Sequence, residues 1–162
     1  WKRLSICAFY LQIVQIKCGY LKFSFFPTVT LGNALHPKVF GGILGRRDLE
    51  DDREQMAHYE IPEIDLVIVD LYPFEATVAS GASDADIIEK IDIGGISLIR
   101  AGAKNHKDVV IVSSKADYQP LLDIVKAQGA ETTLEQRKQF ATNAFATSSH
   151  YDTAIHAWFS KN

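Results

Sequence analysis

Cysteine is nearly missing from this chain: Cys7 and Cys18 are the only two in 162 residues. Their spacing is neither a CxxC pair nor half of a zinc ribbon, and two cysteines do not make a disulfide scaffold. They read as buried or free thiols, which suits a reducing cytosol. Long apolar runs are missing too. The uncharged stretch from Leu4 to Gln15 is too short to span a bilayer. Lys2 and Arg3 before it imitate the start of a signal peptide, but no small-x-small cleavage site follows. Neither sign of charge dominates. A net charge of −3 and a pI near 5.9 give no footprint for nucleic acid. The serines form no GxSxG elbow and the glycines no GxGxxG, so a serine hydrolase and a dinucleotide site lack support. His36, His58, His106, His150 and His156 show no metal-ligand spacing, and no metal site is expected.

What is present alternates between two periodicities. Residues 1 to 31 are rich in aromatic and β-branched side chains and hold no acidic residue. Within them Leu21, Phe23 and Phe25 alternate with Lys22 and Ser24, the pattern of a strand. Residues 32 to 48 read as loop, punctuated by Gly32, Pro37, Gly41, Gly42 and Gly45. Composition changes near residue 34, and charge density climbs from Arg46 to Glu54. This divides residues 1–34 from 35–162, within a length that suits one structural domain.

Beyond that boundary, Asp51 to His58 reads as a short polar helix. Ile64 to Leu71 reads as a strand buried on both faces, as parallel sheets require. Ser83 and Asp86 resemble a capping box for a helix through Ile91. Ile96 to Lys104 is helical, Val109 to Val112 is a second buried strand, and both strands are expected to be parallel and central. Ser114 is placed as the cap of a helix that stops near Gly129. The tail is one long helix, with Leu134, Ala141, Ala144, Phe145, Tyr151, Ile155, Trp158 and Phe159 on its apolar stripe. Alternating strands and helices predict an α/β fold, a mostly parallel sheet covered by helices on both faces.

The chemistry-bearing residues follow the first buried strand. Asp70-Leu71-Tyr72-Pro73-Phe74 ends it in a polar and aromatic turn. Asp92-Ile93-Gly94-Gly95 then opens a helix whose first amides have no partner within the helix. Arg100 and Lys104 stand four apart on one face of that helix, next to the small Ala101, Gly102 and Ala103. Open α/β sheets bind small polar molecules at the carboxyl ends of their strands, where these segments belong.

Read together, Leu35-His36-Pro37-Lys38, Gly41-Gly42, Asp70 to Phe74, Ile91 to Gly95 and Ala103-Lys104-Asn105-His106 resemble the inosine monophosphate (IMP) cyclohydrolase domain. That domain forms the N-terminal half of a bifunctional purine-biosynthesis family. The stretch from Ala144-Phe145 through Tyr151-Asp152 to Ala154-Ile155 resembles the family's closing helix. The resemblance implies a three-layer α/β/α, methylglyoxal-synthase-like fold. It implies ring closure of a formylated aminoimidazole carboxamide ribonucleotide to IMP with loss of water, and a cytoplasmic setting. Lys104, Asp92 and Tyr72 would be catalytic, with Lys104 carrying the proton. Val69, Asp70, Ile93, Gly94 and Gly95 would bind the substrate. On this reading the three catalytic side chains share one cleft, with Asp92 holding Lys104 charged.

Ring closure would need no cofactor, since formyl-tetrahydrofolate belongs to a formyltransferase domain that these residues do not include. The full-length family protein would be a homodimer, with no membrane or nucleic-acid partner. The chain departs from the family before Leu35. Leu31-Gly32-Asn33-Ala34 stands where the family has Arg-x-Lys-Thr. The Ser-Thr-Gly-Gly-Thr phosphate loop and the Ser-x-x-x-Lys turn are absent from residues 1–34. The expected consequence is a strand position filled by hydrophobic character alone, with weak or undetectable IMP binding and little cyclisation. Two other readings share the fold: a methylglyoxal-synthase relative, and a ligand-binding regulatory module like that of carbamoyl phosphate synthetases. Tyr72, Asp92 and Lys104 favour the cyclohydrolase lineage over both.

Overall fold

A computed structural model describes residues 6–9 and 35–161. The strand expected around Leu21–Phe25 lies outside the described residues, as does Cys18. Three strands form a parallel sheet in the order β1 (Ile6–Phe9), β2 (Leu66–Val69), β3 (Val110–Val112). Ile6 to Phe9 run beside Leu66 to Val69, and Leu66 to Ile68 beside Val110 to Val112. A strand position is thus filled from the N-terminal segment. Val110, Ile111 and Val112 are all buried, as the continuous apolar run predicts. Among the described strands only β2 is central. β3 is expected to be central as well and instead stands outermost among the described strands. Helices α5 (Gly94–Lys104) and α7 (Leu134–Phe159) both pack against it, so its burial comes from helices.

The helices are α1 (Pro37–Leu44), α2 (Glu50–His58), α3 (Phe74–Ala79), α4 (Asp84–Ile88), α5 (Gly94–Lys104), α6 (Tyr118–Gln128) and α7. The first corrects the loop expected over residues 32 to 48. His36 Nδ1 accepts from the Lys38 amide at 3.1 Å, and Pro37 takes a position that needs no donor. Gly42 is helical, and glycine stands there because a Cβ would lie 2.3 Å from the Pro62 carbonyl oxygen. It serves close packing, where the sequence suggested a turn.

Other boundaries shift for local reasons. Ser83 accepts from the Asp86 amide as expected, but α4 stops at Ile88, short of Ile91. Ser114 makes no side-chain cap, and a 3-10 turn (Lys115–Asp117) leads into α6. That helix does end at Gly129, whose φ of 77° suits glycine. The last helix starts at a full capping box between Thr133 and Gln136. Its apolar stripe is narrower than expected: Ala141, Ala144 and Tyr151 are buried, while Leu134, Phe145 and Phe159 are exposed. Phe140 and Ser148 complete the buried face. None of the described helices is long and apolar enough to cross a membrane.

The return from α5 to β3 is tied down by polar bonds. Buried Asn105 donates through Nδ2 to the Ile43 carbonyl at 2.8 Å and to the Gly45 carbonyl at 3.3 Å. These are carbonyls at the end of α1, where helix geometry leaves acceptors unpaired. Arg137 of α7 donates to the carbonyls of His106 at 2.9 Å and Lys107 at 2.8 Å. The Lys-Asn-His stretch is therefore held by its backbone and by its asparagine. The space beside Ala101, Gly102 and Ala103 is taken by β3, because a Cβ on Gly102 would lie 3.1 Å from the Ile111 Cβ.

Candidate functional site

In a parallel sheet, a helix leading back to the next strand begins near the strands' carboxyl ends. The chain leaves β2 at Asp70, enters α5 at Asp92–Gly95 and leaves β3 at Ser113, so topology gathers these three segments along one edge. The end of α5 lies at the other edge. There the Val110 amide donates to the Asp65 carbonyl at 2.8 Å, where the two strands begin.

Asp92 shapes the entry to α5. Its Oδ1 accepts from the Gly95 amide at 2.6 Å, so the carboxylate already occupies one amide that the Gly-Gly entry would offer a ligand. The Asp92 amide in turn donates to the hydroxyl of Tyr151 at 2.9 Å, and that hydroxyl donates to the Lys90 carbonyl at 2.7 Å. Burial pushes the Tyr151 hydroxyl up from its ordinary value, keeping it neutral and able to donate. Ile93 is exposed at the tip of the turn, and Gly94 is half-buried beside it. The Lys90 Nζ stands 5.7 Å from the centre of the Tyr72 ring, within reach of a cation–π contact. Tyr72 and the segment from Lys90 to Asp92 are thereby neighbours.

Val69 is buried in β2 and supports the site without reaching solvent. Asp70, next in the chain, accepts from the Tyr118 hydroxyl at 2.8 Å. Burial, with the Asp70 carboxylate beside it, pushes this tyrosine up to about 12. A value raised in the folded state contributes stability in full below the ordinary pKa near 10, and the contribution is lost as pH rises through 12. Ultraviolet titration should therefore show a late-ionising tyrosine near pH 12 that Tyr118→Phe removes. An unchanged titration in that variant would mean the pair does not hold in solution.

Lys104 does not join this group. It is exposed at the far end of α5, about 15 Å along the helix axis from Gly94 at 1.5 Å per residue. A direct ion pair with Asp92 is out of reach, so the expected single cleft holding Tyr72, Asp92 and Lys104 is not formed by these three side chains. The neighbouring Arg100 turns towards α7, donating to Ser148 Oγ at 3.3 Å and lying over the Phe145 ring at 5.8 Å. Sequence reasoning missed Lys90, Tyr118 and the polar role of Tyr151. Only Lys90 had a visible signal, its place two residues before Asp92. Among the described residues, no three His, Cys, Asp or Glu side chains gather as metal ligands do.

The chain is similar to known proteins over most of its length. Residues 102–162 match the family model of the AICARFT/IMPCHase bienzyme, and residues 31–97 match that of the MGS-like domain. The bifunctional purine biosynthesis protein PurH of Bacteroides thetaiotaomicron is 67% identical over 83% of this chain and 27% of its own length. The protein of the same description from Rhodospirillum rubrum is 53% identical over 85% of the chain and 26% of its own. The chain spans about a quarter of the length of these curated relatives. The crystal structure of ForH superimposes with a TM-score of 0.69 at 33% identity, covering 83% of this chain and 70% of that one.

Proposed function

The chain belongs to the AICARFT/IMPCHase bienzyme family through its MGS-like part, and we propose that it carries the base-recognition half of an IMP cyclohydrolase site. Asp70 and the Asp92–Gly95 turn would face the purine base or its open precursor, where carboxylate and backbone groups suit the amide and ring nitrogens. In ring closure the carboxamide nitrogen attacks the formyl carbon of the same molecule, and the former formyl oxygen leaves as water. Holding the reactive conformer supplies much of the rate. The Asp92 carboxylate is the natural acceptor for the proton that the nitrogen gives up. The reaction as proposed needs no cofactor and fits a cytoplasmic protein.

The resemblance gives the proton-carrying role to Lys104, but Lys104 stands at the opposite edge of the sheet from the Asp92–Gly95 turn and does not reach a base held there. Lys104→Ala should therefore slow ring closure no more than Arg46→Ala, and a much larger loss would restore the role to Lys104. Arg46 bonds Asp52 on the charged surface, its Nη2 2.8 Å from Oδ1. The observation that carries the reading is the conjunction of the Asp92–Gly95 turn with Asp70 along one sheet edge. Without the phosphate motifs, the phosphate of a ligand should add little. Nuclear magnetic resonance titration should show inosine and IMP binding alike, both in the millimolar range, with shifts at Asp70 and residues 92–95. No shifts with either ligand would sink the proposal. Micromolar IMP with far weaker inosine would mean that residues 1–34 build a phosphate site after all.

A further inference from the structure

Tyr151 reaches the Asp92 turn from α7, 59 residues further along the chain. One oxygen closes both sides of the turn, accepting from the Asp92 amide at 2.9 Å and donating to the Lys90 carbonyl at 2.7 Å. The ring behind that oxygen is fixed. It stands edge-on to Phe74 with centroids 6.2 Å apart, and Phe74 is 2% exposed. Within the turn the Asp92 carboxylate is held by the Gly95 amide. Backbone and side chain of Asp92 are thus anchored separately, one by α7 and one by α5. Without the hydroxyl, the Asp92 amide and the Lys90 carbonyl both lose this bond, and the backbone that carries the Asp92 carboxylate is freed to shift. A phenyl ring in the same place would keep the packing, so the contribution of the hydroxyl is to geometry more than to cohesion.

We infer that Tyr151 is the positioning residue of the ligand site, setting where the Asp92 carboxylate and the first amides of α5 stand. The inference rests on the base-recognition reading above for the ligand that benefits. Tyr151→Phe should be compared with Phe140→Leu, a core change on the same helix. Amide hydrogen exchange should quicken about five- to tenfold at Asp92 and its neighbours in Tyr151→Phe, the effect of losing a net hydrogen bond. Phe140→Leu should quicken exchange across the sheet and α7 without singling out the turn. Inosine affinity, measured well below the melting temperature, should fall about fivefold or more in Tyr151→Phe and hold in Phe140→Leu. A purely structural tyrosine would not move that affinity. Turn exchange in Tyr151→Phe no faster than in Phe140→Leu would overturn the inference, as would an unchanged affinity. If the unaltered chain binds neither inosine nor IMP, the nucleotide reading fails, and the exchange contrast alone decides the role of Tyr151.

Discussion

Asn105→Asp is expected to cost about 3–5 kcal/mol of folding stability at neutral pH, although the two side chains are nearly the same size. The asparagine is 9% exposed and gives its amide hydrogens to the carbonyls of Ile43 and Gly45. An aspartate carboxylate has no hydrogen to give. It would place a buried negative charge against two carbonyl oxygens, and both would lose their donor. Asn105→Ala removes the donors without adding the charge and should cost about 1–3 kcal/mol. The difference between the two variants isolates the charge. It also fixes the sign of the pH dependence. The new carboxyl would titrate above its unfolded value because the folded state favours the protonated form. The variant should then regain stability as pH falls towards the acid range and lose it as pH rises, opposite to an ion-paired aspartate. Urea denaturation of both variants at several pH values measures this, and equal losses at neutral pH would show that residue 105 is solvated.

The position of Asn105 illustrates what could be read from the sequence. The Lys-Asn-His stretch was visible as a motif, and its neighbours Lys104 and His106 drew attention as chemical groups. The carbonyls it serves lie about sixty residues upstream, and no local pattern points to them. Strands β2 and β3 were legible because continuous burial leaves an unbroken apolar run. The long tail helix is legible from its period, but spacing alone puts the exposed Leu134, Phe145 and Phe159 on its apolar stripe, since it does not tell where neighbours end. Helix α1 was hidden by its glycines. Gly41 and Gly42 look like turn residues, whereas the second is there to let α1 approach the Pro62 carbonyl. The site divides in the same way. Asp70, Tyr72, Asp92 and the Gly-Gly pair stood out locally, while Tyr118 and Tyr151 enter through hydrogen bonds to partners 48 to 61 residues away.

Gly95→Ala should leave the fold standing and disable the site, lowering any ring-closure rate the chain supports about 100-fold, the cost of a displacement near 1 Å. A Cβ on Gly95 would lie 2.7 Å from Oδ2 and 2.9 Å from Oδ1 of Asp92. Something has to give, and the carboxylate is the free end of a side chain. It can swing away at small cost, breaking its bond to the Gly95 amide. Alanine also favours the helix over glycine by about 1 kcal/mol, which offsets the steric penalty in the thermal melt. Gly42→Ala makes the opposite case. The atom its Cβ would meet, at 2.3 Å, is a backbone carbonyl oxygen, and the helix gain is outweighed by an overpacking cost of about 1–3 kcal/mol. The two substitutions are chemically identical, and both sit near the start or middle of a helix. One should show up in the melting curve and the other in ligand binding and ring closure. A Gly95→Ala protein with unchanged ring closure would mean that the Asp92 carboxylate does not act from the place where the Gly95 amide holds it.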